Sequence, residues 1–350
     1  MFVRSLKPEL IDSISMLRKS SPGKGSPKVW VEAYGCSASM ADSEMISGML
    51  SSAGYEIAKS QAEGTLSVIV TCSVKDTTEH RMVGRIKALR SSGKPLVVAG
   101  CLPKADRSKV EALAPDAGLL GPASIDRIAD VAGSVLAGRR MVALEDSPFH
   151  KVNIPRIRLN PAVSIVEIAS GCMSACTFCQ TKLAKGALRS YRIGDIVRQV
   201  QSDVDCGCRE VWLTSTDNGC YGLDIGSDLV DLLSACCAVE GEFKIRLGMM
   251  NPMYLPGIID RLVDVFRENE KLFKFIHMPV ESGSDRVLRL MKRGHGSKSF
   301  LDSVREFREK IPEMTISTDI IVGFPTESEE DFGNTLELVS KSQPDIINLS

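Results

Sequence analysis

The sequence predicts an α/β protein in two consecutive halves: an N-terminal parallel-sheet domain followed by a partial (βα)6 barrel. Three observations predict it. Short apolar strand-like runs alternate with amphipathic helical patterns along the chain, which is the signature of βα units with parallel strands. Pro148, Pro155 and Pro161 cluster where the rhythm breaks, near the middle of the 350 residues, and the rhythm then restarts. The length, with 43% hydrophobic and 25% charged residues, suits about two globular domains of ~150 residues each.

Residues 1–27 read as a polar, flexible extension ending in SPGKGSP. Residues 28–140 form the first domain. Its strands are KVWVEAYG, LSVIVTC and KPLVVAG, each followed by a helical pattern, and it closes on the helix SIDRIADVAGSVLAGRR. Residues 141–160 read as a linker. Residues 161–350 carry the strands SIVEIAS, EVWLTST, KIRLGMM, FKFIHMPV, TISTDIIVGF and DIINLS, with helices such as IGDIVRQVQSDVD and LPGIIDRLVDVFREN between them. Six such units make a partial barrel rather than a closed eight-strand one.

No apolar run reaches the ~18 residues needed to span a bilayer, and the N-terminus is too charged for a signal peptide, so the expected location is cytoplasmic, with no membrane partner. In a reducing compartment eleven cysteines suggest metal ligands or redox groups rather than disulfides. The formal charge of −1 excludes a chain that holds nucleic acid by bulk charge alone. Two basic clusters stand out, Arg81, Arg85, Lys87, Arg90 and Lys94, then Lys182, Lys185, Arg189 and Arg192. Solvated faces are the default reading of each.

Cys36, Cys72 and Cys101 each follow one of the first three strands. All strand carboxyl ends of a parallel sheet lie along one edge, so these thiols can share a site despite their separation. A second group, Cys172, Cys176 and Cys179, lies on the small-residue loop SGCMSACTFCQ after the next strand. Structural zinc takes four protein ligands, and no histidine is near in sequence. Three thiolates on a four-iron cluster leave one iron open for a ligand, so a cubane fits better. Cys206, Cys208, Cys220, Cys236 and Cys237 lack strand-end equivalence and are read as small buried hydrophobes.

The C-x3-C-x2-C spacing on the loop after the first strand of a βα barrel resembles the radical S-adenosylmethionine (SAM) enzymes. VEAYGCSASMADSE, VTCSVKDTTEHR and VVAGCLPK resemble the N-terminal domain of the methylthiotransferases. VWLTSTDNGCYGLDIG, IRLGMMNP, HMPVESGSDRVLRLMKRGH and TDIIVGFPTESEEDF are similar to that family's radical SAM core. QTKLAKGALRSYRIGDIV and RLGMMNP look most like the archaeal and eukaryotic threonylcarbamoyladenosine tRNA branch. The resemblance implies two [4Fe-4S] clusters and SAM, with Cys172, Cys176 and Cys179 holding the radical-generating cluster, and Cys36, Cys72 and Cys101 one that carries or donates sulfur. The product implied is 2-methylthio-N6-threonylcarbamoyladenosine at position 37 of tRNA, made with a ferredoxin- or flavodoxin-type electron donor and an undefined sulfur donor.

Alternative acceptors are isopentenyladenosine tRNA and a ribosomal-protein aspartate; an iron–sulfur carrier without catalysis is a more distant reading. Thr214, Ser215 and Asp217 are candidates for SAM's amino group. Glu281 and Ser282 are candidates for its ribose or methionine, although SGSD also reads as a helix N-cap. Gly323 allows either close approach of adenine or a tight turn. The family's small RNA-binding β-barrel, the TRAM domain, has no counterpart within residues 1–350.

Overall fold

The computed structural model describes residues 25–72 and 76–350, so the expected extension at 1–27 lies almost wholly outside the described residues. The chain packs as two units, divided between Leu159 and Asn160.

The first unit is a six-stranded sheet, parallel throughout, in the order β2-β1-β3-β4-β5-β6. Strands β1 (Lys28–Ala33), β3 (Leu66–Thr71) and β4 (Leu96–Gly100) are those read from the sequence. β2 (Glu56–Ile57), β5 (Gly118–Leu120) and β6 (Val142–Ala143) were not, because two or three residues show no period. The central β3 and β4 are buried along their whole length, as a sheet covered on both faces requires. Helices α1 (Ser37–Ser52), α2 (Asp76–Ser91), α3 (Cys101–Ala105), α4 (Arg107–Leu113) and α5 (Ile128–Leu136) make the connections. Ile69, Ile86, Leu89, Val98, Leu102, Val110 and Leu119 form one apolar cluster between sheet and helices.

The stretch expected to be a linker, residues 141–160, is instead largely structural. β6 completes the sheet. Beyond it, Ile157 N–H donates to the Glu44 carbonyl (2.9 Å) and Leu159 N–H to the Glu44 carboxylate (2.9 Å). Lys151 pairs with Asp42 of α1 at 2.6 Å, both side chains almost wholly buried. The prolines exclude a helix here but not an extended strap over α1. Removing one partner of a buried pair leaves the other charge with less compensation. Lys151→Met is therefore expected to destabilise this unit by about 3–5 kcal/mol in denaturant unfolding. A loss under about 0.5 kcal/mol would contradict that account.

Three members of the first basic cluster are held by the fold, while Arg81 and Lys87 are exposed. Arg85 grips the Glu32 carboxylate through two bonds (2.7 and 2.8 Å). Lys94 donates to the carbonyls of Gln61, Ala62 and Gly64 (2.9, 2.8 and 2.7 Å). Arg90 donates to the Leu113 carbonyl (3.1 Å).

The second unit has two three-stranded parallel sheets, β11-β10-β7 and β12-β13-β14. The strands are β7 (Val163–Glu167), β10 (Glu210–Thr214), β11 (Lys244–Leu247), β12 (Phe275–His277), β13 (Thr315–Ile320) and β14 (Ile346–Leu349). A bridge between Ile245 and Leu272, and Met250 N–H donating to the His277 carbonyl (3.0 Å), join the sheets in chain order. That gives six parallel strands, as expected. A short antiparallel pair, β8 (Ala169–Ser170) with β9 (Arg189–Ser190), frames the loop between them. Among the connecting helices are α6 (Thr181–Lys185), α7 (Ile193–Asp205), α8 (Leu229–Cys237), α9 (Ile259–Glu268), α10 (Asp285–Leu290), α11 (Ser297–Lys310) and α12 (Glu329–Ser342). Among the described residues, no helix is long and apolar enough to cross a membrane.

Candidate functional sites

In the first unit, Cys36, Cys72 and Cys101 follow β1, β3 and β4, and these three strands are adjacent. Adjacent parallel strands bring the three residues to one edge. Cys36 is also the N-cap of the 16-residue α1, where the helix dipole favours a thiolate. The Cys72 thiol is hydrogen-bonded to Cys36, and this bond, then burial, then the charges of Cys36 and Cys101 push its pKa well above the ordinary thiol range. Cys72 therefore lies within electrostatic reach of both other thiols. Gly35, at φ +114°, is what permits the approach: a Cβ there would fall 2.2 Å from Cys72 Cβ and 2.7 Å from its Sγ. Cys72 and Cys101 are buried and Cys36 is exposed.

In the second unit, Cys172 is buried, while Cys176 and Cys179 are half-buried, on the loop that leaves β8. Gly171 (φ +74°) packs so tightly on the Ala187 carbonyl that a Cβ would lie 1.9 Å from its oxygen, which fixes where the loop starts. Ser174 N–H donates to Cys172 Sγ (3.2 Å) and the Arg293 guanidinium to Cys176 Sγ (3.4 Å). Arg293 is itself anchored on the Pro279 carbonyl (2.6 Å). N–H···S bonds of this kind stabilise ligating thiolates and tune cluster potential. Burial pushes the Cys176 thiol up, and Arg293 opposes it.

Cys220, read from sequence as a core filler, belongs to this site. Its thiol, Cys172 Sγ and a carboxylate oxygen of Asp217 lie within 4.8 Å of one another. A hydrogen bond from Cys220 holds Cys172 well below the ordinary thiol range despite burial, helped by Ser174 N–H and the Lys182 charge. That bond, then burial, push the Cys220 thiol well above the ordinary range. A thiol already inclined to ionise suits a metal ligand, which must bind deprotonated. Three thiols on one loop, two of them receiving N–H···S bonds, make a donor set that fits an iron–sulfur cluster.

The SAM candidates divide. Asp217 is buried, and burial pushes its carboxyl up to about 7 against hydrogen bonds from Asn251 and Gly219 N–H (both 3.0 Å). Thr214 ends β10, and Ser215 Oγ donates to Asn218 (3.0 Å). Glu281 is mostly buried at φ +74°, strained backbone for a non-glycine residue of the sort that clusters at functional sites.

Ser282 is corrected. Its hydroxyl is fully buried, lies 3.3 Å from Thr335 of α12 and accepts Ser284 N–H (3.1 Å), so it braces the loop instead of facing a ligand. Ser284 caps α10. Gly323 sits exposed in a turn at φ +74°, with open space where a Cβ would go, which favours the turn reading.

The second basic cluster is corrected as well. Lys185 is buried against Glu167 (3.5 Å) and Lys182 donates to the Cys172 carbonyl, so both serve the cysteine loop. Arg192 remains exposed.

Residues 166–339 match the Radical SAM superfamily, and residues 28–121 match a group described as Uncharacterized protein family UPF0004. A probable threonylcarbamoyladenosine tRNA methylthiotransferase of Pyrococcus abyssi is 40% identical over 326 residues, covering 92% of this chain and 76% of the relative. The chain belongs to the threonylcarbamoyladenosine tRNA methylthiotransferase family. A further member, from Danio rerio, is 37% identical over 327 residues, covering 91% of this chain and 59% of that one. Among solved structures, the radical SAM methyltransferase TsrM from Kitasatospora setae superposes with a TM-score of 0.65 over 93% of this chain and 75% of its own. At 13% identity that likeness bears on fold alone. Cys172, Cys176 and Cys179 lie within the residues matched to the Radical SAM superfamily, and Cys36, Cys72 and Cys101 within those matched to UPF0004.

Proposed function

We propose that this chain methylthiolates C2 of N6-threonylcarbamoyladenosine at position 37 of tRNA, with the radical formed at Cys172, Cys176 and Cys179 and the sulfur supplied through Cys36, Cys72 and Cys101. The observation that carries the division of roles is the presence of two cysteine triads, each at the carboxyl edge of its own parallel sheet. The 40% identity to an archaeal enzyme named for threonylcarbamoyladenosine favours that acceptor over isopentenyladenosine or a ribosomal protein.

An aromatic C2–H is neither acidic nor readily displaced, so acid–base groups alone accomplish little. Bound together, a four-iron cluster and SAM supply the 5′-deoxyadenosyl radical that can remove such a hydrogen. The chain's own contribution is to hold and shield. Cys172, Cys176 and Cys179 would hold the cluster, with Ser174 N–H and Arg293 steadying two of the sulfurs, and the iron these three leave open would take SAM. Thr214, Ser215, Asp217 and Glu281 are the side chains assigned to SAM. A reductant of the ferredoxin or flavodoxin class would supply the electron.

The test is mass spectrometry of tRNA nucleosides from cells lacking the gene. Loss of 2-methylthio-N6-threonylcarbamoyladenosine, with its unthiolated precursor accumulating and return on complementation, is the expected result. Its persistence, or loss of the isopentenyl analogue instead, would overturn the assignment.

A further inference from the structure

Parallel pairing places Ile165, Trp212 and Arg246 in one row across β7, β10 and β11, with Glu167 and Thr214 in the row nearer the carboxyl edge. The alternating residues Val211, Leu213, Ile245 and Leu247 are almost fully buried on the opposite, helix-covered face. Arg246 therefore lies on the inner face, half-buried. Its guanidinium carbon stands 5.1 Å from the Trp212 ring centroid and 5.2 Å from that of Phe275.

Among the described residues Arg246 has no carboxylate partner. The acids of the same face are committed elsewhere. Glu167 pairs with Lys185 at 3.5 Å, and Glu210 accepts the Trp212 indole N–H at 2.5 Å. Asp319 accepts the Asn348 amide at 2.6 Å and lies 3.2 Å from His277 Nε2. A guanidinium held against aromatic faces has its orientation fixed, while its N–H edge stays available for a planar two-oxygen acceptor.

We infer that Arg246 is a specificity-determining residue that binds the threonine carboxylate of the N6 substituent. The inference rests on the proposed acceptor. Two residues along a strand span ~7 Å, so Arg246 lies one such step below Thr214 and the start of the cysteine loop. A slender substituent on the base can reach that depth, whereas a backbone phosphate cannot follow it between the strands. The isopentenyl group carries no charge and would leave Arg246 unpaired, which disfavours that acceptor.

The experiment compares two anticodon stem-loop RNAs, one with N6-threonylcarbamoyladenosine and one with its neutral carboxamide, on the reconstituted full chain. For the unmodified enzyme, kcat/KM for methylthiolation is expected to fall about 10- to 100-fold on the carboxamide. Arg246→Gln is expected to lose a similar factor on the carboxylate RNA and to treat both RNAs within about twofold; Arg246→Lys should recover part of the preference. Three results overturn the inference: equal rates on the two RNAs with the unmodified enzyme, discrimination retained by Arg246→Gln, or a matching rise in the KM for SAM, which would assign the methionine carboxylate to Arg246 instead. The first arm stands even if the variants fail to fold. If the unmodified enzyme cleaves SAM but methylthiolates neither RNA, the acceptor assignment fails, and this inference with it.

Discussion

Cys176→Ala is expected to abolish 5′-deoxyadenosine formation when SAM and a strong reductant are added. Two thiolates would remain to hold a cluster that needs three, and the open iron would no longer be set by the loop. The substitution also removes the acceptor of the Arg293 guanidinium, now 3.4 Å from Cys176 Sγ, leaving a mostly buried cation facing an apolar methyl group. Loss of an outer partner to a metal ligand alone costs roughly 10–100-fold, so loss of the ligand should exceed ~100-fold. Iron and sulfide content, measured beside deoxyadenosine, should fall in parallel. Deoxyadenosine production at the unmodified rate would remove Cys176 from the site.

The strand-end cysteines were legible because their argument needs only two things: a strand before each residue and parallel strands throughout. The structure adds that β1, β3 and β4 are neighbours, which no local pattern could tell. The same edge logic, pressed further, would have found Cys220. It follows β10, and β10 pairs with β7, so the turn after one strand faces the loop after the other. The default that a cysteine is a small hydrophobe concealed it. Glu167 was another available signal, a charge inside the apolar run SIVEIAS that had to be met by a cation, and Lys185 meets it. The strap at 141–159 was illegible for a different reason. Extended segments that pack by backbone hydrogen bonds and one buried ion pair carry no period. Arg293 lies 117 residues beyond Cys176 in sequence, and only the folding of the second unit brings it to the cysteine loop.

Replacing Cys36, Cys72 and Cys101 together with Ala is expected to separate the two halves of the reaction. These residues belong to the unit ending at Leu159, and the SAM loop to the unit beginning at Asn160, each with its own sheet. The second unit's cluster site should therefore survive the change, and SAM cleavage with it. Methylthio transfer should vanish, because the acceptor radical would meet no sulfur held ready for it. The three thiols are small, and Ala conserves most of their volume, but Cys72 and Cys101 are buried, so a modest loss of stability in the first unit is expected as well. The decisive measurement quantifies 5′-deoxyadenosine and 2-methylthio nucleoside in the same reaction with threonylcarbamoylated tRNA. Continued accumulation of methylthiolated nucleoside over several turnovers would return the strand-end triad to packing. Loss of both products would show that the first unit is needed for radical formation too, and the division of roles between the two triads would then be wrong.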